Sequence, residues 1–258
     1  MVQRKFRKWE VQELKIQAKL LLLAGLLLLI QLRFASSLVT YFATVTIEPH
    51  TPNTHSLSGT GGYVLVGDGT PNWGSPTGTI SFWVKWNTVA NRPWGQHDNM
   101  ETRFTGTNLV LDWGAAGSLT SSTSFVGDKW YFIAIVWNQN TNRLYLYVGD
   151  QVLSPTLDSA NNAWTSSVST VGVTQNNFLA SKGGVNPTNG YGDDLRYWNT
   201  DRTLAAIQSD YKIEITGSEA NLRSYFKLDN NFVDAGPNHN NGSGVGSYSF
   251  STDAPFMP

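Results

Sequence analysis

The chain has 258 residues, of which 14% are charged, with ten Trp, ten Tyr and no Cys. That length suits one large domain plus an extension, and the lack of cysteine excludes a disulfide framework and thiol chemistry. The net charge of −1 hides an asymmetry: residues 1–47 sum to +5 and the remainder to −6, which excludes nucleic acid as the partner of the larger part.

Residues 1–19 read as a basic tail, with residues 2–18 either an amphipathic stub carrying Val11, Leu14 and Ala18 on one side or an unstructured segment. Leu20 to Leu32 is an uncharged run of thirteen residues, and Arg33 is the only charge between it and Ile47. The run alone is short of the roughly 20 apolar residues a spanning helix needs, so the expected segment is 20–42, with Lys19 and Arg33 snorkelling at either end. Bases before it and almost none after it place the N-terminus inside and the rest of the chain outside. A cleaved signal peptide also fits the basic leader and Ala35-Ser36-Ser37, but two acids in a long leader favour an uncleaved signal-anchor. A buried core helix fits poorly, because the run is apolar on every side. Residues 43–58, with Pro49 and Pro52 among small polar side chains, read as a linker.

From residue 59 the pattern is that of strands and turns. Strands are expected near 62–66, 79–87, 101–105, 108–113, 130–138, 143–148, 177–181, 193–198 and 223–228, separated by turn-rich spacers at 67–78, 114–123, 154–167 and 182–192. In Trp130–Trp137 both alternating sets are apolar, so that strand should be covered on both faces. Asn138 to Asn142 is a short polar spacer that joins it to the next strand as a hairpin. One helix is expected, Thr203 to Tyr211, with Leu204, Ile207 and Tyr211 on the side that packs against the edge of the sandwich.

Four segments carry a family resemblance: Gly78 to Trp86 (GTISFWVKW), Asp128 to Gln151 (DKWYFIAIVWNQNTNRLYLYVGDQ), Gly190 to Tyr211 (GYGDDLRYWNTDRTLAAIQSDY) and Tyr225 to Gly242 (YFKLDNNFVDAGPNHNNG). In that order they resemble the laminin-G-like jelly rolls of the concanavalin A-like lectin and glucanase superfamily. The resemblance implies an all-β, two-sheet antiparallel jelly-roll sandwich with one short helix over 59–258, behind the N-terminal transmembrane helix.

Glycosidases on that scaffold use two close carboxylates at alternate positions of one strand. Beyond residue 47 the glutamates are Glu48, Glu101, Glu214 and Glu219, none paired at that spacing, and the adjacent Asp193 and Asp194 should face opposite sides of a strand. No Gly-x-Ser-x-Gly elbow, paired His motif or phosphate loop is present. Binding, not catalysis, is expected.

Two sites suggest themselves. Asp229, Asn231, Asp234 and Asn238 offer hard oxygen donors within ten positions, a set suited to calcium, against the alternative of Asx-turns in a solvated loop. Trp94 with Gln96, His97, Asp98 and Asn99, and separately Tyr191, pair aromatic faces with amides and carboxylates as a glycan platform would. The competing reading makes each ring a plug for its own loop. Trp83, Trp86, Trp130 and Trp137, inside strands, belong to the core. The expected protein is a membrane-anchored surface protein that binds glycans or a surface protein ligand in adhesion. The alternatives are a structural subunit that assembles as a homo-oligomer in an envelope, virion or filament and, least favoured by the carboxylate pattern, a glycosidase.

Overall fold

The computed structural model describes residues 54–66, 75–96, 100–113, 117–165, 176–180 and 184–256. The tail and anchor expected at residues 1–42 lie outside these. Among the described residues no helix is long and apolar enough to cross a membrane. Contacts divide the chain into two units, Met1–His50 and Thr51–Pro258, and the fold below is that of the second.

Fifteen strands and one α-helix are present in the described residues. The strands are β1 (Ser56–Thr60), β2 (Tyr63–Val66), β3 (Thr77–Trp86), β4 (Trp94–Gln96), β5 (Met100–Thr105), β6 (Asn108–Trp113), β7 (Ser118–Ser124), β8 (Trp130–Asn138), β9 (Arg143–Asp150), β10 (Thr156–Asn161), β11 (Asn176–Phe178), β12 (Asn189–Trp198), β13 (Leu222–Phe226), β14 (Ser243–Val245) and β15 (Tyr248–Ser251). The helix, α1, is Leu204–Asp210, with Thr203 as its N-cap accepting from the Ala206 N–H. The strands form two antiparallel sheets: β10-β9-β8-β3-β12-β1-β15, with β13 beside β12, and β14-β2-β11-β4-β5-β6-β7. This is the antiparallel sandwich that the strand pattern implies.

The first sheet is covered on both faces, as the doubly apolar β8 requires. Tyr131, Ile133, Ile135 and Trp137 join the core between the sheets. Trp130, Phe132, Ala134 and Val136 point the other way, into a second cluster with Trp83, Tyr147, Ile207, Tyr211 and Phe256. The helix therefore packs on the outer face of this sheet, not on the sandwich edge as expected. Its apolar side needs a broad surface, and the outer rings of β3 and β8 supply one. Trp83 anchors the contact, with its ring 6.0 Å from Tyr211 and its Nε1 donating to the Tyr211 carbonyl at 2.8 Å.

Six strands fall where no strand was expected: β1, β4, β7, β10, β14 and β15. The linker expected to end at residue 58 gives way to β1 at Ser56, whose backbone pairs with both β12 and β15. β7, β10, β14 and β15 are rich in Ser, Thr, Gly and Asn and lie at sheet margins. Ladder hydrogen bonds, not apolar alternation, hold them.

One margin is closed by a side chain. A register shift between Leu157 and Ser159 kinks β10. Asp158 there accepts the amides of Ser122 and Thr123 at 2.8 and 2.9 Å, amides on the margin of the opposite sheet. At the other margin β14 belongs to one sheet and β15 to the next, joined by a turn through Gly246, whose φ is +76°.

Candidate functional site

The structure separates the expected glycan residues. Trp94 lies on a three-residue strand held between β11 and β5. Its ring is fully buried and stacks on Trp113, with centroids 5.4 Å apart at 29°. The stack continues through Trp137 to Tyr197, which is nearly parallel to Trp137 at 10°. A ring at the centre of such a stack presents no face to a sugar, so Trp94 is a core residue. Gln96 ends β4, while His97, Asp98 and Asn99 lie outside the described residues. Tyr191 lies in the other sheet, half-buried on its outer face, with Lys85 Nζ 4.2 Å from the ring centroid and Trp130 beside it. Trp94 and Tyr191 do not form one site.

Three of the expected calcium donors, Asp229, Asn231 and Asp234, bind backbone amides, while Asn238 lies in the same loop. Asp234 is buried, and its Oδ1 accepts the amides of Tyr225 and Gly236 at 2.8 Å while Oδ2 accepts that of Asn240 at 3.1 Å. Asp229 Oδ1 accepts the amides of Thr54 and His55, tying the start of the domain to the loop after β13. Asn231 accepts from Val233 N–H at 2.9 Å, an Asx-turn. Among the described residues no group of three or more His, Cys, Asp or Glu is placed to hold a metal ion. Asp229 Oδ1, Asn231 Oδ1 and both Asp234 oxygens thus already accept N–H bonds.

A different constellation opens to solvent. On the outer face of the first sheet, beside the chain leading into α1, Val136, Asn138, Arg143, Tyr145, Tyr147, Asp201, Arg202 and Thr203 line a half-open hollow of about 140 Å³. Its floor follows from alternation in β9. Leu144 and Leu146 enter the core, so Arg143, Tyr145 and Tyr147 must share the opposite face. The Tyr145 and Tyr147 rings meet edge to face, with centroids 6.2 Å apart. Tyr145 donates its hydroxyl to Asn162 Oδ1 at 2.9 Å, which fixes the ring. Burial, then the neighbouring Tyr145, raises the pKa of the Tyr147 phenol, keeping it neutral.

The other wall is held from behind. Asn138 donates its amide to Asp201 Oδ2 at 2.6 Å and accepts the Thr141 N–H, so neither side chain swings freely. Arg202 lies over the Trp198 ring at 4.0 Å and grips Asp210 with both terminal nitrogens, at 3.1 and 2.6 Å. Asp210 also faces Arg196, whose guanidinium is wholly buried and donates to the carbonyls of Asp210 and Ile213. Asp194 completes this network, 2.6 Å from the terminal nitrogen of Arg196 and 3.1 Å from its Nε. Burial pushes the Asp194 carboxyl up to about 7, against the pull of Arg196. Burial works against the Arg196 charge, but Asp194, Tyr225 and Asp210 outweigh it and keep the guanidinium protonated. The network locks α1 to the sheet and so fixes the rim of the hollow.

The sequence carried half of this signal. The alternation Arg143, Tyr145, Tyr147 marks a polar–aromatic strand face, but Asp201 to Thr203 reach it only through the fold.

Comparison with known proteins agrees with the architecture. The family Laminin_G_3, described as the concanavalin A-like lectin/glucanases superfamily, matches residues 58–208, and the chain belongs to it. A candidate carbohydrate binding protein from Bacteroides ovatus is similar in structure, with TM-score 0.64 and 18% identity over 80% of this chain. The match spans 62% of that protein. Tailspike protein 2 of Escherichia coli O157:H7 bacteriophage CAB120 matches with TM-score 0.44 and 13% identity, over 73% of this chain and 31% of its own. Domain 4 of AbnA, a GH43 extracellular arabinanase from Geobacillus stearothermophilus in complex with arabinotriose, matches with TM-score 0.42 and 13% identity, over 57% and 71%. No curated protein matches the chain in sequence.

Proposed function

We propose that this protein is a membrane-anchored surface protein whose sandwich domain binds carbohydrate without cleaving it, through the hollow between β9 and the start of α1. The observation that carries this reading is the pairing of the fixed Tyr145 ring, backed by the buried Tyr147, with Asn138, Arg143 and Asp201 around one opening. A pyranose has an apolar face and a rim of hydroxyls, and this lining offers both complements. At about 140 Å³ the hollow is well below the size of a drug-sized pocket, so it takes a single sugar residue end-on. Membership of a lectin and glucanase superfamily agrees with this ligand class.

A binding role fits the carboxylates better than hydrolysis does. Glycoside cleavage needs two, and Asp201 is the one carboxylate in the lining. Glu214 is paired with Lys227 at 3.0 Å, and Asp193 and Asp194 are buried in the sheet. The basic leader and apolar run at residues 20–42 support an anchor with the sandwich displayed on the far side.

Full-length protein in detergent, applied to a carbohydrate array, tests the reading. The wild type is expected to bind a subset of glycans, and Tyr145→Ala to lose about tenfold or more in affinity while keeping its unfolding temperature. Equal binding by the variant would remove the hollow as the site.

A second reading, assembly into a homo-oligomer, draws on the turn between β9 and β10. Val152 and Leu153 are 84% and 65% exposed there, although Asp150 holds the turn rigid by accepting both their amides at 2.7 Å. Ordered oligomers in sedimentation, lost on Val152→Ser, would favour it.

A further inference from the structure

Three arginines cluster at or behind the hollow, and their differences bear on the ligand. Arg196 is enclosed by Asp194 and two carbonyls. Arg202 is neutralised by Asp210, with its guanidinium against the Trp198 ring. Arg143 differs from both. It is exposed at the mouth, and among the described residues no carboxylate pairs with it and no side-chain or backbone acceptor takes its guanidinium hydrogens.

Of the other polar groups in the lining, Asn138, Tyr145 and Thr203 are already engaged. The Asn138 side chain is bound on both sides, by Asp201 and by the Thr141 amide. The Tyr145 hydroxyl is donated to Asn162, and the Thr203 hydroxyl oxygen accepts the Ala206 amide. Beside the Asp201 carboxylate, what the mouth offers a ligand is one uncompensated cation with a full set of forked donors, standing two residues from an aromatic floor. A planar guanidinium matches a carboxylate or sulfate through two parallel hydrogen bonds, which a neutral hydroxyl cannot reproduce. In a part of the chain with net charge −6, an unpaired arginine next to two tyrosines is a selective feature, not a general positive field.

Resting on the carbohydrate reading above, we infer that the sugar residue taken by this hollow carries an anionic group, a carboxylate or a sulfate, held by Arg143. Its ring lies on Tyr145, with the buried Tyr147 behind it. Asp201 stands on the wall formed with Asn138, where it takes hydroxyl hydrogens and repels an anion, which sets the direction in which the sugar enters.

The test uses full-length protein in detergent against matched oligosaccharides: glucuronate-terminated, sialic acid-terminated and sulfated, each beside its uncharged parent. The wild type is expected to prefer the acidic member about tenfold or more, and the preference to weaken as salt is raised. The carboxylate and sulfate arms identify which anion is taken. Arg143→Gln is expected to abolish the preference for the acidic member over its parent, with Arg143→Lys keeping part of it. Arg143 is exposed, so the substitution leaves the fold stable, and an unchanged unfolding curve checks this. Equal affinity for acidic and uncharged glycans, or a preference that survives Arg143→Gln, overturns this inference and leaves the carbohydrate reading standing. Failure of every glycan to bind, or binding indifferent to Tyr145→Ala, overturns both.

Discussion

Replacing Trp94 by Ala separates the two roles that ring has been given. Were it a sugar platform, the variant would lose binding and keep its fold. In the structure the ring is fully buried and stacked on Trp113 at 5.4 Å, so truncation opens a cavity the size of an indole inside an ordered stack. Trp113 and Trp137 cannot close it cheaply. Trp113 is fixed by its carbonyl, which accepts Nε1 of Trp164 at 2.8 Å, and Trp137 by its own Nε1 bond to the Ser75 carbonyl at 2.8 Å. Large-to-small changes of this kind cost about 3–5 kcal/mol. For a domain of about 200 residues each kcal/mol lowers Tm by roughly 2–4 °C, so the expected fall is on the order of 6–20 °C. Thermal unfolding followed by near-ultraviolet circular dichroism reads it directly, with weakened indole bands as a second sign. A Tm within about 2 °C of wild type, accompanied by lost glycan binding, would refute the burial argument and return the site to the loop after β4.

Gly78→Ala tests the same stack from the opposite strand. A Cβ there would lie 2.5 Å from Trp137 Cη2 and 2.7 Å from Cε2, and the ring has no free direction to move, so a loss of about 1–3 kcal/mol is expected, read as a denaturant midpoint shift without a change in slope. Asp253 supplies a pH test. Burial works against its charge, but hydrogen bonds from Lys85 and from Trp130 Nε1 outweigh it and hold the carboxyl below its ordinary 3.8. A depressed carboxylate stabilises the fold above its unfolded pKa and loses that contribution as pH falls through the folded one. The Tm gap between wild type and Asp253→Asn should therefore be largest near neutrality and shrink below about pH 3.8; a gap independent of pH would contradict the assignment.

The parts of this fold visible in the sequence are those where burial leaves a period. The two apolar sets of β8 announced a strand between two layers, and Leu204, Ile207 and Tyr211 announced the helix side that packs. Strands such as β7 and β10 left no such trace, since a marginal strand of Ser, Thr and Asn is specified by its neighbour's backbone. Trp94 was misplaced for a related reason. Its neighbours Arg92, Pro93 and Gly95 read as a polar loop, and only pairing with β11 and β5 turns the ring inward. The acidic loop after β13 shows the converse, a composition suited to a cation in which both oxygens of Asp234 serve backbone amides. The hollow combines both cases: its tyrosine floor lies in the alternation of β9, while its rim arrives from sixty residues away through a salt-bridged network that no local pattern displays.

The Asp158 clamp also limits how this molecule meets its own kind. By engaging the amides of Ser122 and Thr123, it removes bonding sites that a foreign strand would need to extend the sheet. The opposite flank ends in strands of three and four residues, too brief to template much growth. Crowded together, copies of this domain would be protected from zipping together backbone to backbone. Any lattice they build has to be stitched by turns and side chains.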